Sequence, residues 1–245
     1  MNVLKFLLCL LCAVLLYICF LTVCSFAVDP KKEYSHNSPF YRFLLNSASV
    51  VVLKLLRVKI HTSGMEQMPA DRKFLLVCNH RSNFDPIITW CVFKRWEPAF
   101  ISKAENFKIP IFGRIIRKCC FMEIDRINPR NTMKTIQHAA ELLKAGEVSV
   151  AVYPEGTRSK SGELLPFHNG MFKIAQKADA QIVVLAISGT EKIAKNLKRL
   201  KSSQVYLEVV ETIPTEEVRA LRSSAIGVRV MEGMEKSIEK MVRNK

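Results

Sequence analysis

A chain of 245 residues is long enough for one α/β domain with a short appendage. It carries a formal charge of +15 while 49% of it is hydrophobic, which excludes a disordered polyelectrolyte and leaves anionic membranes, nucleic acids or acidic proteins as partners. Zinc spacings, an RNP-like aromatic pair and a helix-turn-helix signature are missing from the sequence, so nucleic acid is not expected.

The run from Phe6 to Val28 is 23 residues without a charge, enough to cross a bilayer core of about 30 Å. Ser25-Phe26-Ala27 would also pass as a signal-peptide cleavage site. The run exceeds the usual h-region of about 7–15 residues and only Lys5 precedes it, so an anchor is preferred to a cleaved signal. Lys31, Lys32, Arg42, Lys54 and Arg57 follow it, and the positive-inside rule keeps the rest of the chain on the cytoplasmic face. Residues 1–28 are read as a transmembrane or anchor helix and residues 29–58 as a linker with a second helix. In that helix Phe40, Phe43, Leu44, Ser47, Val51 and Leu55 share one face, and Arg42, Asn46 and Ser49 fall on another. A two-sided helix of this kind lies at a membrane interface, although a core helix packed on a sheet has the same pattern.

The remaining residues, 59–245, are read as one folded domain, the candidate for any catalytic function. Apolar runs predict short strands at Val58–His61, Phe74–Cys78, Phe100–Ser102, Phe121–Ile124, Val148–Tyr153, Ile182–Ser188 and Val205–Val210. Helices are predicted at Pro86–Phe93, Ile111–Arg117, Asn131–Ala145 and Gly170–Lys177, the third ending at Gly146. The alternation gives the fold class: α/β, a mixed sheet flanked by helices, with N-terminal membrane helices. After Pro214 the chain is charged and helical in pattern, with Val218, Leu221, Met234, Ile238 and Met241 as packing positions.

Eight cysteines do not make a disulfide framework here. Cys9, Cys12, Cys19 and Cys24 lie in the first apolar run, and Cys78, Cys91, Cys119 and Cys120 lie in apolar runs of the domain, where they behave as small hydrophobes. Their spacings offer neither a zinc site nor a redox pair, and free thiols fit a reducing compartment.

Two stretches carry chemistry. Asn79-His80-Arg81-Ser82-Asn83-Phe84-Asp85-Pro86 joins a strand to a helix, with Asp85 as the natural N-cap and Pro86 as the first helical residue. That turn can return the carboxylate to the imidazole, fixing its tautomer and stabilising the imidazolium. A surface histidine beside an ordinary cap has the same local sequence. The second stretch, Pro154-Glu155-Gly156-Thr157-Arg158-Ser159, follows another buried strand. Glycine allows close approach of the backbone to an anion, and Arg158 offers a planar fork for phosphate. A polar turn with a surface arginine is the plainer reading.

Together the two stretches resemble the glycerolipid acyltransferases, specifically the 1-acylglycerol-3-phosphate (lysophosphatidate) acyltransferases. Asn79, His80 and Asp85 match their N-H-x4-D motif, and Pro154 to Ser159 match F-P-E-G-T-R-S with Tyr153 in place of the Phe. Between them a K…P-x-x-G…I-D-R motif is matched by Lys103, Pro110, Gly113 and Ile124-Asp125-Arg126, with Cys120 at a position usually Gly. In the fourth motif, Gln181 and Val184 stand where prolines are expected. The resemblance spans roughly residues 60 to 210.

The resemblance implies that His80 is the general base and Asp85 its partner, for direct attack of a lysophosphatidate hydroxyl on an acyl thioester. No G-x-S-x-G elbow occurs, which favours direct transfer over an acyl-enzyme. It also implies that Lys103, Arg126 and Arg158 hold the acceptor phosphate, with Glu155, Gly156 and Thr157 shaping that pocket. Lys103 also suits the donor's phosphates, and both Lys103 and Arg126 have a surface-charge reading. No cofactor or metal is implied; acyl-CoA or acyl carrier protein supplies the acyl group, and the partner is membrane lipid. Two other classes stay open: an acyltransferase for another acceptor, such as glycerol-3-phosphate, another lysophospholipid or an amino-lipid, and a non-catalytic basic membrane adaptor.

Overall fold

The computed structural model describes residues 3–71 and 73–243. Its centre is a seven-stranded sheet of β1 (Val58–Ser63), β2 (Phe74–Cys78), β3 (Ala99–Lys103), β4 (Met122–Ile124), β5 (Val150–Val152), β6 (Gln181–Ser188) and β7 (Ser203–Ile213). The strand order is β1-β7-β6-β2-β5-β3-β4. The five strands from β6 to β4 are mutually parallel; β7 runs antiparallel to β6, and β1 parallel to β7. The sheet is therefore mixed, as the sequence predicts. The C-terminal ends of five strands share one rim with the N-terminal ends of β7 and β1.

Helices α1 (Val3–Phe26), α2 (Pro39–Leu55), α3 (Asp85–Val92), α4 (Ala104–Phe107) and α5 (Phe112–Lys118) belong to the first half of the chain. Helices α6 (Pro129–Lys144), α7 (Lys173–Ala178), α8 (Ile193–Lys198), α9 (Thr215–Ala220) and α10 (Ser223–Arg243) follow. Because successive strand residues point to opposite faces, β2 divides its side chains between two cores. Phe74, Leu76 and Cys78 pack with Leu44, Leu53, Ile88 and Phe93; Leu75 and Val77 pack with Ile136, Leu143, Ile174, Val230 and Met234. Both faces of β2 are covered, which is why its five residues read as one unbroken apolar run.

The short helices α4 and α8 escape the sequence reading, being too short for a periodic signal. Helix α6 starts at Pro129, two residues before the predicted Asn131, because the Asn128 side chain caps it by accepting from the Arg130 N–H at 3.0 Å. Gly146 ends it with φ +69, where glycine is favoured. The segment after Pro214 is a structural wall: Val218, Met234, Ile238 and Met241 are buried as predicted, and Gly227 of α10 lets that helix close on Asn169 and Phe172.

Helix α1 is strongly apolar, with Lys5 its one charged residue, and is long enough to cross a membrane. It pairs antiparallel with α2: Tyr17 Oη lies 2.6 Å from Ser47 Oγ, and Tyr41 Oη donates to the Cys24 carbonyl at 2.9 Å. The predicted division of α2 into faces requires a correction. Arg42 and Ser49, assigned to a solvent-facing polar side, are buried, and Leu44, assigned to the membrane side, is buried with them. Arg42 donates to the Pro98 and Cys119 carbonyls, each at 3.0 Å, and lies 4.6 Å over the Trp90 ring. Hydrogen-bonded and stacked, the guanidinium serves as a bolt between α2 and the sheet. Phe40, Phe43, Val50, Val51, Val52 and Leu55 remain exposed on the other side. A polar residue need not mark the wet face of a helix when its partners are main-chain carbonyls of the core.

The eight cysteines are all free thiols. Burial pushes the Cys91 thiol up to about 11 and those of Cys119 and Cys120 up to about 12.

Candidate active site

Parallel strands bring the ends of β2, β5, β3 and β4 to one rim, and each is followed by a motif segment. After β2, Asn79 is buried and its side-chain amide clamps Ile187 of β6. Its Oδ1 accepts from the Ile187 N–H at 2.8 Å and its Nδ2 donates to the Ile187 carbonyl at 3.0 Å. The amide thus satisfies two main-chain groups at the point where the chain leaves the sheet, fixing the start of the His80 turn.

His80 Nδ1 lies 2.8 Å from Asp85 Oδ2. The same oxygen accepts the main-chain N–H groups of Arg81 at 2.6 Å and Ser82 at 2.7 Å. Asp85 is fully buried, and this corrects the expectation that it caps α3. It is the first helical residue, and its carboxylate points backward into the turn instead of forward onto the helix. The turn wraps one oxygen with three donors, which offsets the cost of placing this side chain away from water.

Glu155, after β5, is also buried. Its Oε1 accepts the His80 main-chain N–H at 2.6 Å and its Oε2 accepts that of Leu165 at 3.0 Å. Burial raises its carboxyl above the ordinary range, against the pull of those two N–H groups. Ser159 closes the link by donating its N–H to the His80 carbonyl at 2.9 Å. The Tyr153 ring stacks on the imidazole with centroids 4.3 Å apart and 24° between planes. Its phenol is pushed well above its usual range, first by burial and then by Cys78 and Asp85.

The structure thus brings His80, Asp85 and Glu155 into one network and spreads the other predicted residues around it. Glu155 spends both oxygens on main-chain donors and is a brace for His80. Gly156, at φ +67, passes close to His168; a Cβ there would sit 2.9 Å from the imidazole. Arg126, Gly156 and His168 line a cavity of about 610 Å³ with Tyr153, which links it to His80. The rest of its wall is largely apolar, including Ile124, Met133, Ile136, Val152, Phe167 and Met171. Lys103, Arg126, Thr157 and Arg158 are exposed on the rim. Lys103 ends β3 in register with Ile124, two residues before Arg126.

Sequence reasoning misses the parts supplied by sheet geometry. Tyr153 is noted there only as a substitute for Phe, and nothing in the sequence pairs it with His80. His168 follows Phe167 with no periodic or spacing signal. The Arg81–Glu191 ion pair at 3.3 Å joins segments 110 positions apart. Among the described residues no group of three or more His, Cys, Asp or Glu side chains is arranged to hold a metal ion.

This geometry has counterparts among known proteins. The chain is 37% identical over 136 residues to a chloroplastic 1-acyl-sn-glycerol-3-phosphate acyltransferase of Arabidopsis thaliana, a match covering 55% of this chain and 37% of that one. It is 27% identical over 197 residues to the Bacillus subtilis 1-acyl-sn-glycerol-3-phosphate acyltransferase, covering 78% of this chain and 96% of that protein. The plant and algal relatives are longer: the matches span 37–48% of their length. Among solved structures, the crystal structure of the 1-acyl-sn-glycerophosphate acyltransferase PlsC from Thermotoga maritima shares the fold with a TM-score of 0.70. It is 24% identical and the alignment covers 92% of this chain and 88% of that one. The acyltransferase family model matches residues 59–188, which hold β2 through β6, all but the first residue of β1, and His80, Asp85 and Glu155, and the chain belongs to that acyltransferase family.

Proposed function

We propose that this protein transfers a fatty acyl chain from an acyl thioester to the free sn-2 hydroxyl of lysophosphatidate, giving phosphatidate, at a membrane surface. The observation that carries the reading is the His80–Asp85 pair, 2.8 Å apart, with the carboxylate fully buried. A proton on Nδ1 facing Asp85 leaves the Nε2 lone pair for the acceptor hydroxyl. As the hydroxyl oxygen attacks the thioester carbonyl, its proton passes to Nε2. The imidazolium formed is stabilised by Asp85; collapse of the tetrahedral adduct expels the thiolate, which takes the proton from Nε2 and leaves as the thiol. General-base assistance of this kind contributes roughly 10²–10⁴ in rate.

The surroundings support the same reading. The apolar cavity of about 610 Å³ beside Tyr153 has the character of a hydrocarbon site. Lys103, Arg126 and Arg158 give the rim three cations for phosphate, of which Arg126 and Arg158 present forks. Gly156 and Thr157 offer the turn between them. The acyl carrier, coenzyme A or acyl carrier protein, is set by contacts outside this pair. The Arabidopsis and Bacillus relatives are 1-acyl-sn-glycerol-3-phosphate acyltransferases by name, which supports the same reading. Membrane association rests on α1, whose residues from Phe6 onward carry no charge, and on the apolar exposed side of α2, and the cytoplasmic face on the cations that follow α1.

The test is the purified full chain, reconstituted with lysophosphatidate and offered acyl-CoA or acyl-carrier-protein donors, with products read by mass spectrometry. Phosphatidate formation that falls at least about 10²-fold in His80→Ala, with the thermal melt unchanged, is the expected result. Phosphatidate formed equally by His80→Ala, or none from any donor, would defeat the proposal. A panel of glycerol-3-phosphate and other lysophospholipids separates acceptor classes.

A further inference from the structure

The segment after β6 belongs to none of the motifs, yet it returns to the same rim as His80. Glu191, just before α8, pairs with Arg81 at 3.3 Å, which places the start of this segment beside the His80 turn. The segment ends against the junction between α2 and β1. Arg57 donates from Nη1 to the Leu200 carbonyl at 2.7 Å, and Ser203 donates its N–H to the Arg57 carbonyl at 3.1 Å. One ten-residue stretch, Lys192 to Lys201, therefore spans the rim from the candidate catalytic histidine to the foot of α2.

Its composition is one-sided. Lys192, Lys195, Lys198, Arg199 and Lys201 are all exposed, and no acidic residue interrupts them. Among the described residues none of the five pairs with a carboxylate, whereas the cations of α10 and of the Arg219 turn do. Leu197 is 44% exposed and Leu200 75% exposed, so two large apolar side chains stand among the five charges. Leu200 has φ +54, a conformation that L-residues with bulky side chains rarely adopt, and it keeps that side chain in solvent. Cations alone would suit nucleic acid as well. Leucines held outward among them suit a bilayer, where apolar tips enter the acyl boundary and cations meet lipid phosphates.

Position favours the same occupant. Leu55, at the end of α2 and two residues before Arg57, is 72% exposed and continues the apolar face of that helix onto the rim. The antiparallel pairing of α1 with α2 sets Tyr17 abreast of Ser47, so the first turns of α1 run about 9 Å past Leu55, counted at 1.5 Å per residue. The Arg57 bond to the Leu200 carbonyl brings exposed Leu200 to the end of α2 that carries exposed Leu55, with exposed Leu197 three residues before it.

We propose that Lys192–Lys201 is a second membrane-contact surface, which docks on anionic phospholipid and holds the His80 rim against the lipid plane. The proposal rests on the membrane association inferred above and adds to it a contact that α1 and α2 do not supply. Its effect is orientation: α1 tethers the domain, and the basic turn sets which edge faces the headgroups from which an acceptor would be drawn.

The test uses the full chain in lipid nanodiscs carrying brominated acyl chains, with Leu200→Trp as the probe and Ala145→Trp as control. Ala145 is exposed and lies where α6 leads toward the N-terminal end of β5, on the opposite rim. Trp90 and Trp96 are buried, and the unaltered chain supplies their background. Leu200→Trp should be quenched more than Ala145→Trp. Its quenching should rise at least about twofold when about 30 mol% phosphatidylglycerol is added to phosphatidylcholine, and fall again near 1 M salt. Adding Lys195→Gln, Lys198→Gln, Arg199→Gln and Lys201→Gln should abolish the rise. If that variant melts early, the salt titration of the Leu200→Trp chain decides alone. Quenching equal to the Ala145→Trp control overturns the proposal while co-elution with the disc leaves membrane association standing. Quenching independent of lipid charge and salt also overturns it. A chain that fails to co-elute with discs overturns both.

Discussion

Asp85 separates the work of holding the turn from the work of stabilising charge, and substitutions at that position can measure each. Its Oδ2 accepts three bonds, from His80 Nδ1 and from the N–H groups of Arg81 and Ser82, and among the described residues its Oδ1 has no partner. In Asp85→Asn the amide oxygen can take the Oδ2 place and keep all three donors satisfied, with the amide nitrogen in the unpartnered place. The fold is then kept and the negative charge is lost. A hydrogen bond from an imidazolium to a carboxylate contributes about 1.5–3 kcal/mol, so its loss as the charge develops should lower kcat about 10–10²-fold. Asp85→Ala leaves two main-chain donors without acceptors, at about 1–3 kcal/mol each, and should be less stable than Asp85→Asn by about 2–6 kcal/mol. Phosphatidate formation gives the first comparison and denaturant unfolding in one detergent the second. Asp85→Asn with activity within a few fold of the parent would refute charge stabilisation. Asp85→Ala as stable as Asp85→Asn would refute the account of the turn.

Gly156→Ala forces a Cβ to within 2.9 Å of the His168 ring at φ +67, so it should cost about 1–3 kcal/mol and raise the acceptor KM, read by thermal melt and kinetics. Glu155→Gln tests the brace. A raised folded-state pKa means that ionisation costs stability, so the parent gains on the variant as pH falls through that raised value, and the gain levels off below the ordinary carboxyl range. Unfolding curves across acid pH check the sign, and a parent that loses ground to the variant on acidification would reverse it. Arg158→Lys keeps the charge and loses the fork, so the KM for lysophosphatidate should rise more than that for the acyl donor. Equal loss with an unphosphorylated monoacylglycerol acceptor would make Arg158 a brace of the loop instead.

The central strands β2, β5 and β6 were legible because they are buried on both faces and leave unbroken apolar runs: Phe74–Cys78 is predicted and observed with the same ends. The His80–Asp85 pairing was legible for a related reason, since a strand-to-helix turn of five residues offers few ways to place the second side chain. The direction in which Asp85 points was not, because an N-cap and a backward-facing brace have the same sequence, and only the Arg81 and Ser82 donors distinguish them. Arg42 misled for a physical reason also. Periodicity sorts residues by polarity, and an arginine whose donors end on core carbonyls is polar in sequence and interior in space. Gly227 shows a third limit: its value lies in the approach of α10 to Asn169 and Phe172, a contact between distant segments that no local pattern encodes.

Burial and exposure divide the rim according to what each residue must tolerate. A general base works only at hydrogen-bond reach of the proton it takes, so its surroundings need to be stiff. Asn79, Asp85 and Glu155 are buried, and each spends its side chain on main-chain groups of the turns around His80 or on β6. Phosphate recognition has the opposite requirement on the proposed reading, because a lipid acceptor must enter and leave with its headgroup in water and its chain in a bilayer. Lys103, Arg126, Thr157 and Arg158 are exposed accordingly, at the ends of strands whose interiors are fixed. The ion pair of Arg81 with Glu191 bridges the two regimes, since it ties the His80 turn to the segment that leads into the basic, leucine-tipped stretch. A chain whose rim met lipid only through α1 would have a tether but no fixed orientation. On the proposed reading, one that docks also through Lys192–Lys201 gives His80 a defined height above the lipid headgroups.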